Sequence, residues 1–199
     1  VVLNWVLAAG TFGTAFFITA SDAREAAAWF YYFAFTWFAS PGLFLLFCLL
    51  LTGRRFKAPM LSLFVPGLVV LIAHLVIPKA VMAEVISVPL GYHVRYNHAS
   101  FWHWLNVANY SFCGLASIAV LLKYGLASRD DLFRRRALMV LWSIVPTFFG
   151  TFATGFLIRF FGNELLPPML PIFLSVLVVG LAIALFRYDA ESDEPLRLY

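Results

Sequence analysis

Long uninterrupted apolar runs constrain this chain more than any other feature. A membrane-spanning helix needs about 20 residues, each rising about 1.5 Å. Transmembrane β-strands would instead alternate apolar and polar residues over about ten positions, and the apolar runs do not do so. We therefore predict an all-α fold, a polytopic membrane bundle of about six helices. The predicted spans are Val1–Ala20, Ala26–Leu51, Pro59–Ile77, Phe101–Gly125, Ala137–Phe161 and Pro168–Tyr188.

The composition supports lipid as the solvent around this bundle. Hydrophobic residues make up 63% of the chain and charged residues 12%, whereas soluble domains carry about 25% charged residues. A soluble fold of this composition would expose large apolar patches and aggregate. The lipid bilayer is therefore the first expected partner, and residues 1–188 are predicted to form one transmembrane domain.

The distribution of Lys and Arg predicts the orientation of the bundle. Arg24, Lys79, Arg95 and Arg159 are sparse on one side, while the loops on the other side are densely basic. Cytoplasmic loops of membrane proteins carry an excess of Lys and Arg. We therefore expect the C-terminus, with residues 189–199 as a tail or linker, on the inner face of a bacterial cytoplasmic (inner) membrane. The cytoplasmic basic loops contain Arg54, Arg55, Lys57, Arg134, Arg135 and Arg136.

The net charge of +4 does not indicate nucleic acid as a partner. The basic residues lie in short loops between apolar runs, and membrane topology explains that placement. Other membrane protein subunits or a second copy of the chain are the expected protein partners.

The longest connection, Pro78–Ser100, lies on the side opposite the basic loops. Apolar and aromatic residues alternate with other residues within it, and Gly91 provides a turn position. We therefore predict a small extracellular hairpin there. The alternating residues are Val88, Leu90, Tyr92, Val94 and Tyr96.

Four prolines fall within or near the predicted spans: Pro41, Pro66, Pro146 and Pro171. Each lacks a backbone N–H donor and is expected to kink its helix. Membrane helices tolerate such prolines when neighbouring groups satisfy the freed carbonyl.

Polar residues at depth need a physical reason in lipid. Asn4, Asn106 and Asn109 are interpreted as hydrogen-bonding contacts between helices. His74 falls late in the third span, where it is a candidate for ligand or proton binding.

Aromatic residues cluster at the outer starts of the second and fourth spans. An aromatic belt at the headgroup level explains them, and so does a ligand cavity between helices; the sequence leaves both open. For the cavity, the candidate ligand contacts are Tyr31, Trp37, His74, Trp102 and Tyr110.

The sequence gives no indication of a metal, a cofactor or catalysis. His93, His98 and His103 recur every five residues, whereas metal sites on helices favour spacings of three or four. Phosphate-binding loops, metalloprotease helices and nucleophile elbows are missing from the sequence. We expect no metal site and no cofactor, and the chain is not expected to be an enzyme.

Several segments, taken in order, resemble the N-terminal seven-helix membrane region of bacterial sensor histidine kinases. The similarity extends over nearly the whole chain. One departure is Arg136, where the family more often has Gln. The segments are Trp29–Phe30–Tyr31, Pro41–Gly42–Leu43–Phe44, Leu49–Leu50–Leu51–Thr52–Gly53–Arg54, Pro66, Ser100–Phe101–Trp102, Arg134–Arg135–Arg136–Ala137, Leu166–Pro167–Pro168–Met169–Leu170–Pro171–Ile172–Phe173 and Ala184–Leu185–Phe186–Arg187–Tyr188.

The resemblance implies a sensory input module of a signal-transduction protein. It also implies a further helix before Val1, which would make seven spans, and an output domain such as a histidine kinase after the last span. A second hypothesis is an accessory structural subunit of a larger membrane complex, for example an energy-transducing or photosynthetic one. A small-molecule transporter is less favoured, since no carboxylate lies within a predicted span.

Overall fold

The computed structural model describes residues 2–52, 54–88, 91–128, 131–154 and 176–183. Most of these residues are helical. The elements are α1 (Val2–Thr19), α2 (Ala23–Tyr32), α3 (Ala34–Leu51), a 3₁₀ helix (Ala58–Phe64), α4 (Val65–Val76), β1 (Met82–Val88), β2 (Gly91–Tyr96), α5 (Phe101–Ala127) and α6 (Asp131–Phe152).

Three helical stretches are long and apolar enough to cross a membrane. They are Ala23–Leu51, Ala58–Val76 and Phe101–Ala127. Two shorter apolar helices, Trp5–Thr19 and Ala137–Phe152, match the first and fifth predicted spans. The sixth predicted span is described only at residues 176–183, which are helical.

The second predicted span is not one continuous α-helix. It begins three residues earlier than predicted and is interrupted at Phe33, between α2 and α3. The Phe33 N–H donates to the carbonyls of Trp29 and Tyr31, and the Thr36 hydroxyl donates to the Phe33 carbonyl at 2.7 Å. The bond to Trp29 keeps the regular i to i−4 spacing, whereas the Thr36 N–H donates to the Phe33 carbonyl at 2.9 Å, which is an i to i−3 bond.

The third predicted span is also divided, into the 3₁₀ helix and α4. Pro66 lies at the start of α4. Its ring would collide with the carbonyl of Ser62 in a continuous α-helix, and it has no N–H to donate. The chain therefore winds as a 3₁₀ helix up to Phe64 and begins a new α-helix at Val65.

The other prolines of the described spans lie within continuous helices. Pro41 is inside α3 and Pro146 is inside α6. Pro171 lies outside the described residues.

The predicted hairpin is confirmed as an antiparallel pair of strands, β1 and β2. It makes the fold a helical bundle with one small sheet, rather than strictly all-α. Arg95 forms an ion pair across the strands with Glu84. The Tyr92 hydroxyl donates to the Ser21 carbonyl, which ties the hairpin to the α1–α2 connection.

The hairpin packs over the ends of α1 and α2. Its apolar residues Met82 and Val94 share a buried cluster with Phe17, Ala26 and Phe30. A second cluster joins the hairpin base to α3, α4 and α5. The hairpin therefore covers one end of the bundle.

Gly91 contributes to this covering contact. Its φ of 119° is one that L side chains rarely adopt, and a Cβ there would press against the Ile18 carbonyl. Gly91→Ala should therefore lower the free energy of unfolding by about 1 to 2 kcal/mol, limited because the hairpin can tilt away from α1. Thermal unfolding in detergent measures this loss, and Ser87→Ala on the exposed strand face is the control. Equal stability of the two variants would contradict the packing of Gly91 on α1.

The opposite half of the bundle has its own apolar core. Cys48, Leu121, Val140 and Ile144 are almost fully buried there between α3, α5 and α6, together with Leu177. Large apolar side chains also cover the outside of the bundle, and exposed apolar surface of this extent is typical of proteins that contact a membrane or another protein. On α4 the exposed ones include Val65, Leu68, Val69, Ile72, Leu75 and Val76.

Candidate functional site

Five side chains from α2, α3 and α4 form an aromatic–histidine cluster: Phe30, Tyr31, Trp37, Phe38 and His74. The Tyr31 and His74 rings are stacked, with centroids 4.6 Å apart and planes at 13°. Phe30 meets His74 edge-on at 5.5 Å and stacks on Trp37 at 6.0 Å. Phe38 lies 5.5 Å from His74.

The helix geometry explains why these residues meet. Phe30 and Trp37 are seven residues apart, as are Tyr31 and Phe38, and a spacing of seven returns to nearly the same helix face. His74 reaches this face from the last turn of α4. Because Phe33 lies between the two members of each pair, a small change at the junction would move Phe30 and Tyr31 relative to Trp37 and Phe38.

Burial differs sharply across the cluster. His74 is 2% exposed, whereas Tyr31 is 37% exposed. The Tyr31–His74 stack therefore runs from the surface of the bundle into its interior.

Trp102 lies beside this cluster. It is partly buried and packs against the same apolar group as Phe38 and Ala73. The Ser100 hydroxyl caps α5 by accepting from the Trp102 N–H at 3.2 Å, which fixes where the helix begins. The structure thus brings four of the five predicted ligand contacts into one region: Tyr31, Trp37, His74 and Trp102.

Tyr110, the fifth predicted contact, belongs to a separate cavity. Its ring stacks on Phe148 with centroids 6.1 Å apart. The cavity is small, with a volume of about 70 Å³. Its lining is almost entirely apolar: Leu7, Ser40, Pro41, Phe44, Tyr110, Gly114, Ile144, Thr147, Phe148 and Leu177.

Four buried polar atoms near these two regions have no hydrogen-bond partner among the described residues. They are Trp37 Nε1, His74 Nε2, Asn106 Oδ1 and Asn109 Nδ2. The contact between helices predicted for the asparagines is not formed by these two amide atoms, and Asn109 Oδ1 accepts instead from Cys113 within α5. The backbone of Asn4 lies in α1.

The interior of the described part of the chain has no formal charge. Every Asp, Glu, Lys and Arg whose burial is described is exposed. The region can therefore recognise a ligand through aromatic contacts and neutral hydrogen bonds. General acid–base chemistry by a buried carboxylate is not available to the described residues.

The basic residues of the predicted cytoplasmic loops lie at the end of the bundle away from the hairpin. Arg54 donates to the Tyr124 hydroxyl from Nε at 3.2 Å and from Nη2 at 2.9 Å, which joins the end of α3 to the end of α5. Arg55 and Lys57 are exposed nearby. Arg134, Arg135 and Arg136 lie in α6, where Arg134 pairs with Asp131 at 3.1 Å.

His103, near the start of α5, contacts His98 and Tyr96. The His98 ring meets it edge-on at 4.9 Å, and Tyr96 stacks on it at 5.3 Å. His93 is buried on β2. Among the described residues, no three potential ligands come together to hold a metal ion.

Sequence reasoning did not include Phe30 or Phe38 in the site. The signal that would have found them is the spacing of seven that links them to Trp37 and Tyr31.

Comparison with models of protein families, with curated proteins and with solved structures finds no match in any of the three. The similarity to histidine kinase sensor regions therefore stays a prediction from its motifs.

Proposed function

We propose that this chain is a polytopic integral membrane protein and the sensory input module of a bacterial signal-transduction protein. In this proposal it lies in the cytoplasmic membrane, with the hairpin outside and its C-terminus inside. The module itself catalyses no reaction. Three membrane-length helices and the resemblance described above support it.

The observation that carries the proposal is the Tyr31–His74 stack beneath the hairpin. It joins a partly exposed side chain on α2 to a buried one on α4, directly beside the break at Phe33. A stimulus that changes the stack is therefore coupled to the angle between α2 and α3.

A sensor needs two packings of the bundle and a stimulus that favours one of them. Ligands shift such an equilibrium only by binding the two states with different affinity. In this proposal the stack is intact in one state and opened in the other. α3 then carries the change to the end of the bundle where Arg54 contacts Tyr124.

The test compares Tyr31→Ala with Tyr32→Ala in the chromosomal gene that encodes the chain. Tyr32 is 74% exposed and its ring lies against Trp29, so it is a matched control. We expect the Tyr31 strain to show the transcript changes of a deletion strain, and the Tyr32 strain to match the wild type. Membrane levels of both proteins, measured by immunoblot, should be equal.

Two results would reject the sensory role. A deletion strain whose transcripts match the wild type would show that the protein does not signal, and a normal Tyr31 strain would remove the stack from the mechanism. The alternative, a structural subunit, would use the exposed apolar face of α4 to contact other proteins. Co-purification at fixed stoichiometry in mild detergent would favour that alternative.

A further inference from the structure

Exposed cations gather at the end of the bundle away from the hairpin. They come from the connection after α3, from the last turn of α5 and from the first turns of α6: Arg54, Arg55, Lys57, Lys123, Arg134 and Arg135. Among the described residues, only Asp131 brings a carboxylate to this end, and it is paired with Arg134 at 3.1 Å. The described part of this basic end is therefore strongly positive.

Contacts between the helix ends place these cations around one end of the bundle. The bonds from Arg54 to Tyr124 join the end of α3 to the end of α5. One residue further along α5, a Cβ added at Gly125 would lie 3.2 Å from the Cβ of Ala137 on α6. Arg134 precedes Ala137 by three residues, which places it almost one helical turn closer to the end of the bundle.

Arg54 is oriented by a partner that leaves its charge uncompensated. Its Nε and Nη2 donate to the Tyr124 hydroxyl at 3.2 and 2.9 Å, and its guanidinium carbon lies 5.5 Å from the centre of the Tyr124 ring. The hydroxyl is neutral, and no carboxylate pairs with Arg54 among the described residues. The Nη1 donors stay available at an exposed position, and a guanidinium matches the geometry of phosphate oxygens.

An exposed apolar stripe starts next to these cations along the chain. Phe56 is 54% exposed within the basic connection, and Leu61 is exposed in the 3₁₀ helix that follows. On α4 the stripe continues at a spacing of three or four residues, which keeps it on one helix face: Val65, Leu68, Ile72 and Leu75. At about 1.5 Å per residue the α4 part is about 15 Å long, which is about half the hydrocarbon thickness of a bilayer.

A phospholipid combines the two chemistries that lie side by side here. Its phosphate requires cations, and its acyl chains require an apolar surface about one leaflet long. A soluble phosphate would use the cations and leave the stripe uncovered. Basic clusters at the cytoplasmic edge of a membrane span attract anionic headgroups, so charge complementarity favours an anionic lipid over a zwitterionic one.

We propose that an anionic phospholipid of the inner leaflet binds at this basic end. Its phosphate contacts Arg54 and Lys57, and its acyl chains lie along the exposed face of α4. This inference rests on the membrane placement given under the proposed function and is independent of the sensory role. It adds a lipid partner of defined charge to the bilayer that surrounds the bundle.

Native mass spectrometry of the full chain in non-ionic detergent tests this lipid preference. Dioleoyl phosphatidylglycerol and dioleoyl phosphatidylcholine are added in equal amounts. Both contain a phosphate and the same chains, but only the glycerol lipid has a net negative charge. We expect a preference of about 25-fold for the glycerol lipid, about fivefold for each of the two cations, which decreases as the salt concentration rises.

Soluble headgroups distinguish a lipid from a free phosphate. Glycerophosphoglycerol is the headgroup of the glycerol lipid without its chains, and inorganic phosphate is the smaller probe. Neither should displace the bound lipid at about a hundredfold excess, because neither covers the apolar stripe. Displacement by either probe would assign the cations to a soluble anion and overturn the lipid proposal.

Variants assign the preference to individual cations. Arg54→Gln and Lys57→Gln should each reduce it to about fivefold. Tyr124→Phe keeps the ring and the charge of Arg54 but removes the hydroxyl that orients it, so the preference should fall by a smaller factor. Arg24→Gln is the matched control, because Arg24 is exposed on α2 at the hairpin end and its loss changes the net charge equally.

Equal retention of the two lipids by the native protein would overturn the proposal. The same loss of preference in Arg24→Gln as in Arg54→Gln and Lys57→Gln would also overturn it, since net charge alone would then explain the binding. Circular dichroism confirms that each variant is folded. A lipid preference together with a normal Tyr31→Ala strain would leave this site standing and reject the sensory role, and the converse result would reject this site alone.

Discussion

A membrane-impermeant maleimide should label Ser87→Cys in intact cells and should not label Ala127→Cys until the cells are lysed. Ser87 is exposed on β1 in the hairpin, and Ala127 is exposed at the last residue of α5. The proposed topology places these two positions on opposite sides of the bilayer, because the basic loops favour the cytoplasm. The expected difference in labelling is all or none.

The native cysteines provide a clean background for this measurement. Cys48 is 0% exposed and Cys113 is 2% exposed, so the unsubstituted protein should remain unlabelled both before and after lysis. Labelling of Ala127→Cys but not of Ser87→Cys in intact cells would show that the topology is the reverse of the proposed one. Equal labelling of both variants in intact cells would argue against a membrane-spanning bundle.

The ends of the helices were predictable where an apolar run meets a capping residue. α5 begins at Phe101 as predicted, since Ser100 caps it, and α1 ends within one residue of the predicted boundary. The break at Phe33 was not predicted. It lies within a continuous apolar run, where neither a proline nor a change of hydrophobic period marks it.

The hairpin was predictable from the alternation that continues through β2 and from the turn residue Gly91, whereas of β1 only Val88 belonged to the predicted pattern. The 3₁₀ helix before α4 was not predicted, although Pro66 indicated a disturbance at that position. A proline is compatible with a kink, a new start or a tighter helix. The packing of the preceding residues decides among these outcomes.

The candidate site was only partly predictable for a different reason. Tyr31 and His74 were each selected as aromatic or polar residues near one interface, but their stacking depends on how α4 packs against α3 and on the turn between α2 and α3. The separation of Tyr110 into another cavity also depends on packing. Asn106 was interpreted as a contact between helices because asparagine in a membrane span usually makes one.

The position where α4 crosses α3 depends on a glycine, and Gly67→Ala should strongly destabilise the bundle. A Cβ at Gly67 would collide with the backbone carbonyl of Phe38. Over-packing costs about 1–3 kcal/mol, and more where backbone must move. Because α3 cannot shift without disturbing the cluster around His74, we expect a net loss of about 3 kcal/mol, even after the gain of about 1 kcal/mol in helix propensity from alanine.

Gly10→Ala on α1 is the matched control for this loss. The nearest atom to its new Cβ is Thr36 Oγ1 at 3.3 Å, and that contact belongs to a side chain. Small displacements relieve it, so the contact cost and the gain in helix propensity should nearly cancel. Unfolding by SDS titration in mixed micelles measures both variants. If Gly67→Ala proves as stable as Gly10→Ala, α3 and α4 do not cross at this distance, and the Tyr31–His74 stack that depends on their crossing loses its support.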